Sequence, residues 1–522
     1  MALLYFNPLD MVDFLPARLP VLVLLFAVVR IGGDGGGGAS AQPSYHSEKT
    51  FQVSPRIREA YAQILDLRLG EARKTVAEIK LTEPRNLLVF LLDDYLDFFT
   101  ILLNDNRTEY KHLLKNRDLR LVQIARGPRK SPWYLYAQAE IRLHWAVLQG
   151  RFGANLAALN DVKQAYALLE QNRHEHPDFR ANDKSLGVLH ALVGNIPDEY
   201  RWAIRLLSGM QGSIRQGLDE LEMLLEYSRA HDFLFETETR AACAFLQLHL
   251  ENSSVAAWAT ISSGALDARK SPLAAYALAG IAMRTGRNDV AVRLLEACPD
   301  GAPYHPFAYR HYLLGIAKLN RLDSDADKSL QKFLQAFKGR TGIKETCQKL
   351  AWHQLLAGNT DGYRRYMELV KTRGVARAEP DKAALREADR GEVPDKLLLK
   401  TRLLFDGGYY RRAYDLLQAA KAKYTSHPKH SLEYHYRLGR IADALGKTEE
   451  AVQQYRQTVR DGAAEPAYFA CNAALQLGLL YEKQGAGKAA RNAFKQCLAL
   501  KPESYAASLH ARAKAGLSRL RE

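Results

Sequence analysis

Two stretches near the C-terminus carry residue types that could hold a phosphate: "GAGK" at Gly485–Lys488 and "GKT" at Gly446–Thr448. A phosphate-cradling loop needs an earlier glycine to free its backbone amides and a Ser or Thr after the lysine for the metal. Ala489 follows Lys488, and Ile441 stands where the earlier glycine of the second stretch would be. Both are therefore read as helix-turn signals. "HEHPD" at His174–Asp178 collects imidazoles and acids without the HExxH spacing, and is expected to mark a helix end. "SHPK" at Ser426–Lys429 has the SxxK spacing of some serine acylases but none of their companion motifs. With no GxSxG and no EF-hand loop either, the expectation is no enzyme, no cofactor and no metal site.

Tyrosine and basic residues interleave in "YRHY" (Tyr309–Tyr312), "YRRY" (Tyr363–Tyr366), "YYRRAY" (Tyr409–Tyr414) and "YHYR" (Tyr434–Arg437). On a helix, positions i and i+3 share a face. Such faces can stack on bases or grip phosphate and carboxylate groups. The competing reading, which is the expectation, has the tyrosines filling packing positions while the arginines stay solvated over apolar surface. A basic cluster from Lys111 to Lys130 admits the same two readings.

The elements that must position these residues are helical and repetitive. "LGLLYEKQGAGKAARNAFKQCLALKP" (477–502) can be set beside "LGRIADALGKTEEAVQQYRQTVRDGAAEP" (438–466). Each has Leu-Gly, then a glycine seven residues on (Gly446, Gly485), an alanine five further (Ala451, Ala490) and an aromatic four beyond that (Tyr455, Phe494). Gly439 and Gly478 are 39 residues apart, a spacing typical of helical repeats. This pattern resembles the tetratricopeptide repeat, most closely at Leu477, Gly478, Tyr481, Ala490, Phe494 and Pro502. The physical content is a tight helical hairpin. Small residues let two helices approach, large ones fill around the contact, Gly485 ends the first helix and Pro502 stops the second. Fainter copies recur around Leu278–Cys298, Leu314-Gly315, Gly408–Ala420 and Ala60–Pro84. Residues 184–224 are similar to the corresponding region of the inclusion-body clearance family, itself tetratricopeptide-like, through Leu186-Gly187, Pro197, Gly212 and Gly217-Leu218.

The resemblance implies an all-α fold of tetratricopeptide-like helical hairpins stacked into a right-handed solenoid. The expected divisions are 54–250 (degenerate repeats), 251–373 (middle repeats), 374–394 (polar linker) and 395–522 (C-terminal repeats). In the family the first helix of each hairpin lines a concave groove. By register this places Glu433, Tyr436, Arg440 and Asp443 in the groove from one unit, and Asn472, Leu475, Leu479, Glu482 and Lys483 from the last. Arg440, Asn472 and Lys483 resemble part of the set with which some relatives grip C-terminal carboxylates, without completing it.

At 522 residues, 47% hydrophobic and 25% charged, the chain can bury a large core. Its net charge of +15 favours acidic proteins, nucleic acid or an anionic membrane surface as neighbours, or is simply a solvated basic surface. Its five cysteines have no CxxC spacing, so neither a disulfide framework nor a zinc site is expected. "LPVLVLLFAVV" (19–29) is shorter than a bilayer span and suits the apolar segment of a secretory signal. A Gly-rich spacer follows, and Ala39 and Ala41 fit signal-peptidase cleavage before Gln42. The first 41 residues are thus expected to be a signal peptide and spacer. The mature chain would lie in the periplasm or cell envelope with no membrane span, the alternative being the cytoplasm. Together these readings predict an exported, non-catalytic scaffold whose groove binds a protein or peptide, acidic ones included. The alternative is a helical-repeat binder of nucleic acid or another polyanion through the Tyr/Arg faces.

Overall fold

The computed structural model describes residues 48–196, 209–264, 266–425 and 428–520. The expected signal peptide, its cleavage site and Pro197 lie outside the described residues. The described residues form helices without a strand, apart from an isolated bridge between Thr50 and Asn86.

The N-terminal half comprises α1 (Pro55–Leu65), α2 (Leu69–Thr82), α3 (Leu88–Asn104), α4 (Arg107–Ile124), α5 (Pro132–Arg151), α6 (Asn155–Glu175), α7 (Ala181–Gly194), α8 (Ile214–Ala230), α9 (Glu236–His249) and α10 (Ser254–Ser262). The middle comprises α11 (Pro272–Arg284), α12 (Asn288–Glu296), α13 (Tyr309–Arg321), α14 (Ala326–Ala336), α15 (Ile343–Leu356), α16 (Thr360–Thr372) and α17 (Glu379–Arg390). The C-terminal part comprises α18 (Lys396–Asp406), α19 (Tyr410–Ala419), α20 (Lys421–Thr425), α21 (Pro428–Ala444), α22 (Thr448–Asp461), α23 (Phe469–Lys483), α24 (Gly487–Ala499) and α25 (Ala506–Arg519).

Helix starts follow the side chains that accept orphan amides. Ser54 receives the Ile57 N–H with Pro55 at the first helical position, Ser271 receives that of Ala274 ahead of Pro272, and Asp395 receives those of Leu397 and Leu398. Hairpins are closed by one recurring bond, from the amide just past a left-handed residue to a carbonyl five residues back. It joins Lys447 to Ala442 (2.9 Å) and Ala486 to Tyr481 (2.9 Å), with Gly446 and Gly485 both at φ 72°. The same bond appears at Arg287–Ala282, Asn359–Gln354, Tyr409–Leu404 and Ala154–Gln149. It also closes Arg68–Gln63 and Asp323–Lys318, where the left-handed residue is Leu67 or Leu322 instead of glycine.

Within the two C-terminal hairpins the Leu-Gly glycines set the helix spacing. A Cβ on Gly478 would fall 2.4 Å from the Phe494 ring, and one on Gly439 would fall 2.8 Å from that of Tyr455. Each hairpin leans on the next, α2 on α3, α12 on α13 and α22 on α23, so the stack is held by neighbour contacts as a solenoid is. One apolar cluster runs from Ile57 to Leu403, and two others continue it to Ala513.

Residue 250, one of the expected divisions, falls between α9 and α10, which pack on each other over a shared core. Within the polar segment 374–394, α17 docks on α15. The fully buried Asp381 carboxylate accepts the Gly342 and Glu345 amides at 2.7 and 3.0 Å, and Glu387 accepts Trp352 Nε1 at 2.8 Å. In the 184–224 region, Gly187 and Gly217 mark the close contact of α7 with α8, where a Cβ on Gly217 would sit 2.2 Å from the Gly187 carbonyl oxygen.

Candidate partner-binding groove

The first helices of the C-terminal hairpins lie side by side, α18 on α21, α21 on α23 and α23 on α25. Their common face lines a cavity of about 270 Å³ that opens to solvent. Its wall alternates cations with rings. Arg402 and Phe405 come from α18, Arg437 and Arg440 from α21, and Arg512 from α25, with Tyr436, Tyr468 and Tyr505 between them. The rings brace one another edge to face, Tyr436 on Tyr468 at 5.8 Å and Tyr468 on Tyr505 at 5.2 Å. The Arg440 guanidinium lies 4.8 Å from the centre of the Phe405 ring, and Arg402 lies 4.6 Å from that of Trp352.

Charge in the cavity is unbalanced. Arg437 pairs with Glu433, and Arg402 reaches Asp406 at 3.9 Å. Among the described residues no carboxylate forms an ion pair with Arg440 or Arg512. Desolvation by the groove wall, then the Arg440 charge, lower the pKa of the exposed Arg512. Tyr436 is 4% exposed, and its hydroxyl accepts from Arg440 Nη1 at 3.1 Å and from Asn472 Nδ2 at 2.7 Å. Its own O–H proton has no acceptor among the described residues. Two guanidinia and a buried hydroxyl are thus set to donate to an anionic group.

Of the residues placed in the groove by register, Tyr436, Arg440 and Asn472 line this cavity. Glu433 stands beside it holding Arg437, and Asp443 accepts the Tyr455 hydroxyl at 3.2 Å. Burial raises the Asp443 pKa against the opposing pull of Tyr455 and Arg440. Glu482 pairs with Arg519 at 2.7 Å, Leu479 is half-buried and Lys483 is exposed, away from the cavity wall. Leu475 is a correction. It is fully buried in the core of the last hairpins, because it lies on the side of α23 that faces inward. Arg402, Phe405, Tyr468, Tyr505 and Arg512 also line the cavity. Tyr468 precedes α23, while the other four belong to α18 or to the start and body of α25, and extending the same register to those two helices is the signal that points to them.

Of the other sequence features, Ser426 and His427 of "SHPK" lie outside the described residues. "GAGK" and "GKT" are hairpin turns. His174 stands in the last turn of α6. Five of the interleaved tyrosines bond within the fold, whereas the buried Tyr434 hydroxyl has no partner among the described residues. Tyr309 is buried and accepts from Arg151, Tyr312 donates to Glu345, Tyr363 to Glu387, Tyr409 to Asp289 and Tyr414 to Glu450.

Comparison with known proteins agrees with this architecture at its C-terminal end. The tetratricopeptide repeat family model matches residues 432–460 and 472–504, which span α21–α22 and α23–α24. The tetratricopeptide repeat is thus present within residues 432–504, and the described residues as a whole are all-α and built of helical repeats. No curated protein matches it. Among solved structures, a chain in the crystal structure of the APC/C hetero-tetramer Cut9–Hcn1 is similar at 13% identity with a TM-score of 0.24, over 87% of this chain and 95% of that one.

Proposed function

We propose that this protein is a non-catalytic scaffold that binds an acidic protein segment in the groove lined by α18, α21, α23 and α25. The observation that carries this reading is the pair of guanidinia, Arg440 and Arg512, facing one cavity without a carboxylate ion-pair partner among the described residues, beside the Tyr436 hydroxyl, whose proton has no acceptor among them. A segment bearing carboxylates would complete those donors, while the aromatic wall would take its apolar stems. Against the nucleic-acid alternative, the hydroxyls of Tyr309, Tyr312, Tyr363, Tyr409 and Tyr414 on the Tyr/Arg faces are bonded within the fold. Export is part of the proposal. The apolar run at 19–29 and the small residues Ala39 and Ala41 support a mature chain that begins at Gln42 in the cell envelope. N-terminal sequencing of the native protein checks it, and an intact Met1 would remove it.

The groove reading is tested by comparative capture from nuclease-treated native extract, using the wild type and the Arg440→Glu/Arg512→Glu variant. A protein held by the wild type and reduced at least about tenfold on the variant is expected. Equal retention by both would refute the groove as the binding face, provided circular dichroism shows the variant folded.

A further inference from the structure

We propose that Cys471 and Cys497 are a disulfide-forming site that staples the last hairpin beneath the groove. The proposal is independent of what the groove binds. Cys471 lies on α23 and Cys497 on α24, and their sulfurs are 3.6 Å apart, the one thiol–thiol contact among the described residues. A disulfide needs about 2.0 Å, so the two sulfurs must close by only about 1.6 Å, within the reach of a side-chain rotation. The helices carrying them are already held together by Gly478 against Phe494, so no backbone rearrangement is required to bring them near.

The two thiols share a hydrogen bond in which either sulfur can donate, and the Cys471 sulfur also lies 3.4 Å from the Cys497 carbonyl oxygen. With a small-molecule disulfide such as oxidised glutathione, one of the two protein thiolates attacks one sulfur and releases a glutathione thiolate. The other thiolate then attacks the protein sulfur of the mixed disulfide and releases the second. The two protein thiols lose two protons, which the two leaving thiolates take up, and the oxidant is reduced to two thiols.

Both cysteines are almost completely buried, and Cys497 lies beneath α25, with its sulfur 3.9 Å from the Leu509 carbonyl. Oxidation of the pair therefore requires local opening of α25 over Cys497. The bond would tie down the ground on which the groove stands. Cys471 adjoins Asn472, and Leu509 lines the cavity with Arg512 from the same helix.

The test uses the purified full chain in a glutathione redox buffer, followed by alkylation in denaturant and non-reducing peptide mapping. The expected result is an intact mass lower by two hydrogens, loss of alkylation at Cys471 and Cys497 alone, and one linked peptide pair. Cys243, Cys298 and Cys347 should remain alkylated. The Cys497→Ala variant should instead accumulate a glutathione adduct on Cys471. Full alkylation of all five cysteines after oxidation, or scrambled pairing with the other three, would overturn the proposal.

Discussion

Tyr61, Tyr95 and Lys184 converge on one carboxylate, that of Glu238. The Tyr95 hydroxyl lies at 2.8 Å and the Lys184 ammonium at 3.5 Å, and the same ammonium reaches Glu140 at 2.5 Å. This buried cluster joins α1, α3, α5, α7 and α9, so single residues hold the N-terminal half in register. Removing one member of a buried ion pair leaves the other charge uncompensated. Lys184→Met should therefore destabilise the fold by roughly 3–5 kcal/mol, read by denaturant unfolding. A change under about 1 kcal/mol would show that water reaches the cluster. Burial opposes ionisation of Glu238, while Lys184 and the two hydroxyls favour its charged form and lower its pKa. A carboxyl depressed in the folded state stabilises fully above its unfolded value of about 4.3, and that contribution is lost as pH falls through its folded value. Thermal melts of Glu238→Gln should accordingly lose the acid-limb slope that the wild type shows between those values. Parallel slopes would contradict the assignment.

At the scale of the element, glycines serve two separable purposes. Gly446 sits at φ 72° with nothing within 4 Å of its would-be Cβ, so Gly446→Ala meets backbone strain alone, about 1–2 kcal/mol. Gly478→Ala meets the Phe494 ring at 2.4 Å and should cost about 1–3 kcal/mol, with part of the loss recovered when Phe494→Leu makes room. Additive losses in that double-mutant cycle would show that the two residues do not share the contact. The same distinction explains what could be read from the chain beforehand. Hairpins with glycine in the left-handed position were visible as turns. Those closed by Leu67 and Leu322 were not, because a leucine there carries no turn signal and Leu67 is itself buried in the core. The helix Glu379–Arg390 was hidden differently. Its buried face is Asp381, Ala384, Glu387 and Ala388, and the two acids are satisfied by amides and side chains of α15, far away in sequence. An apolar period cannot reveal a face buried through hydrogen bonds. Of the residues that repeat register points to, Tyr436, Arg440 and Asn472 line the cavity while Leu475 is buried in the core, since a register shared across helices does not say which side of α23 meets the core.

For the whole molecule, stacking places the first helices of successive hairpins on one face, and arginines from three of them meet at a single cavity. The net charge of +15 adds long-range attraction for an acidic partner, so binding should weaken as added salt screens it. Salt-independent affinity would point to an apolar partner seated on the rings. The most direct measurement is site-specific photocrosslinking in native cells, with a benzophenone side chain placed at Ser508 inside the groove or at the exposed Lys495 on α24. The account predicts that a partner protein is captured through Ser508 and not through Lys495, and that Arg440→Glu/Arg512→Glu abolishes the adduct. Capture through Lys495 with none through Ser508 would contradict it and place the binding surface on the opposite face of the stack.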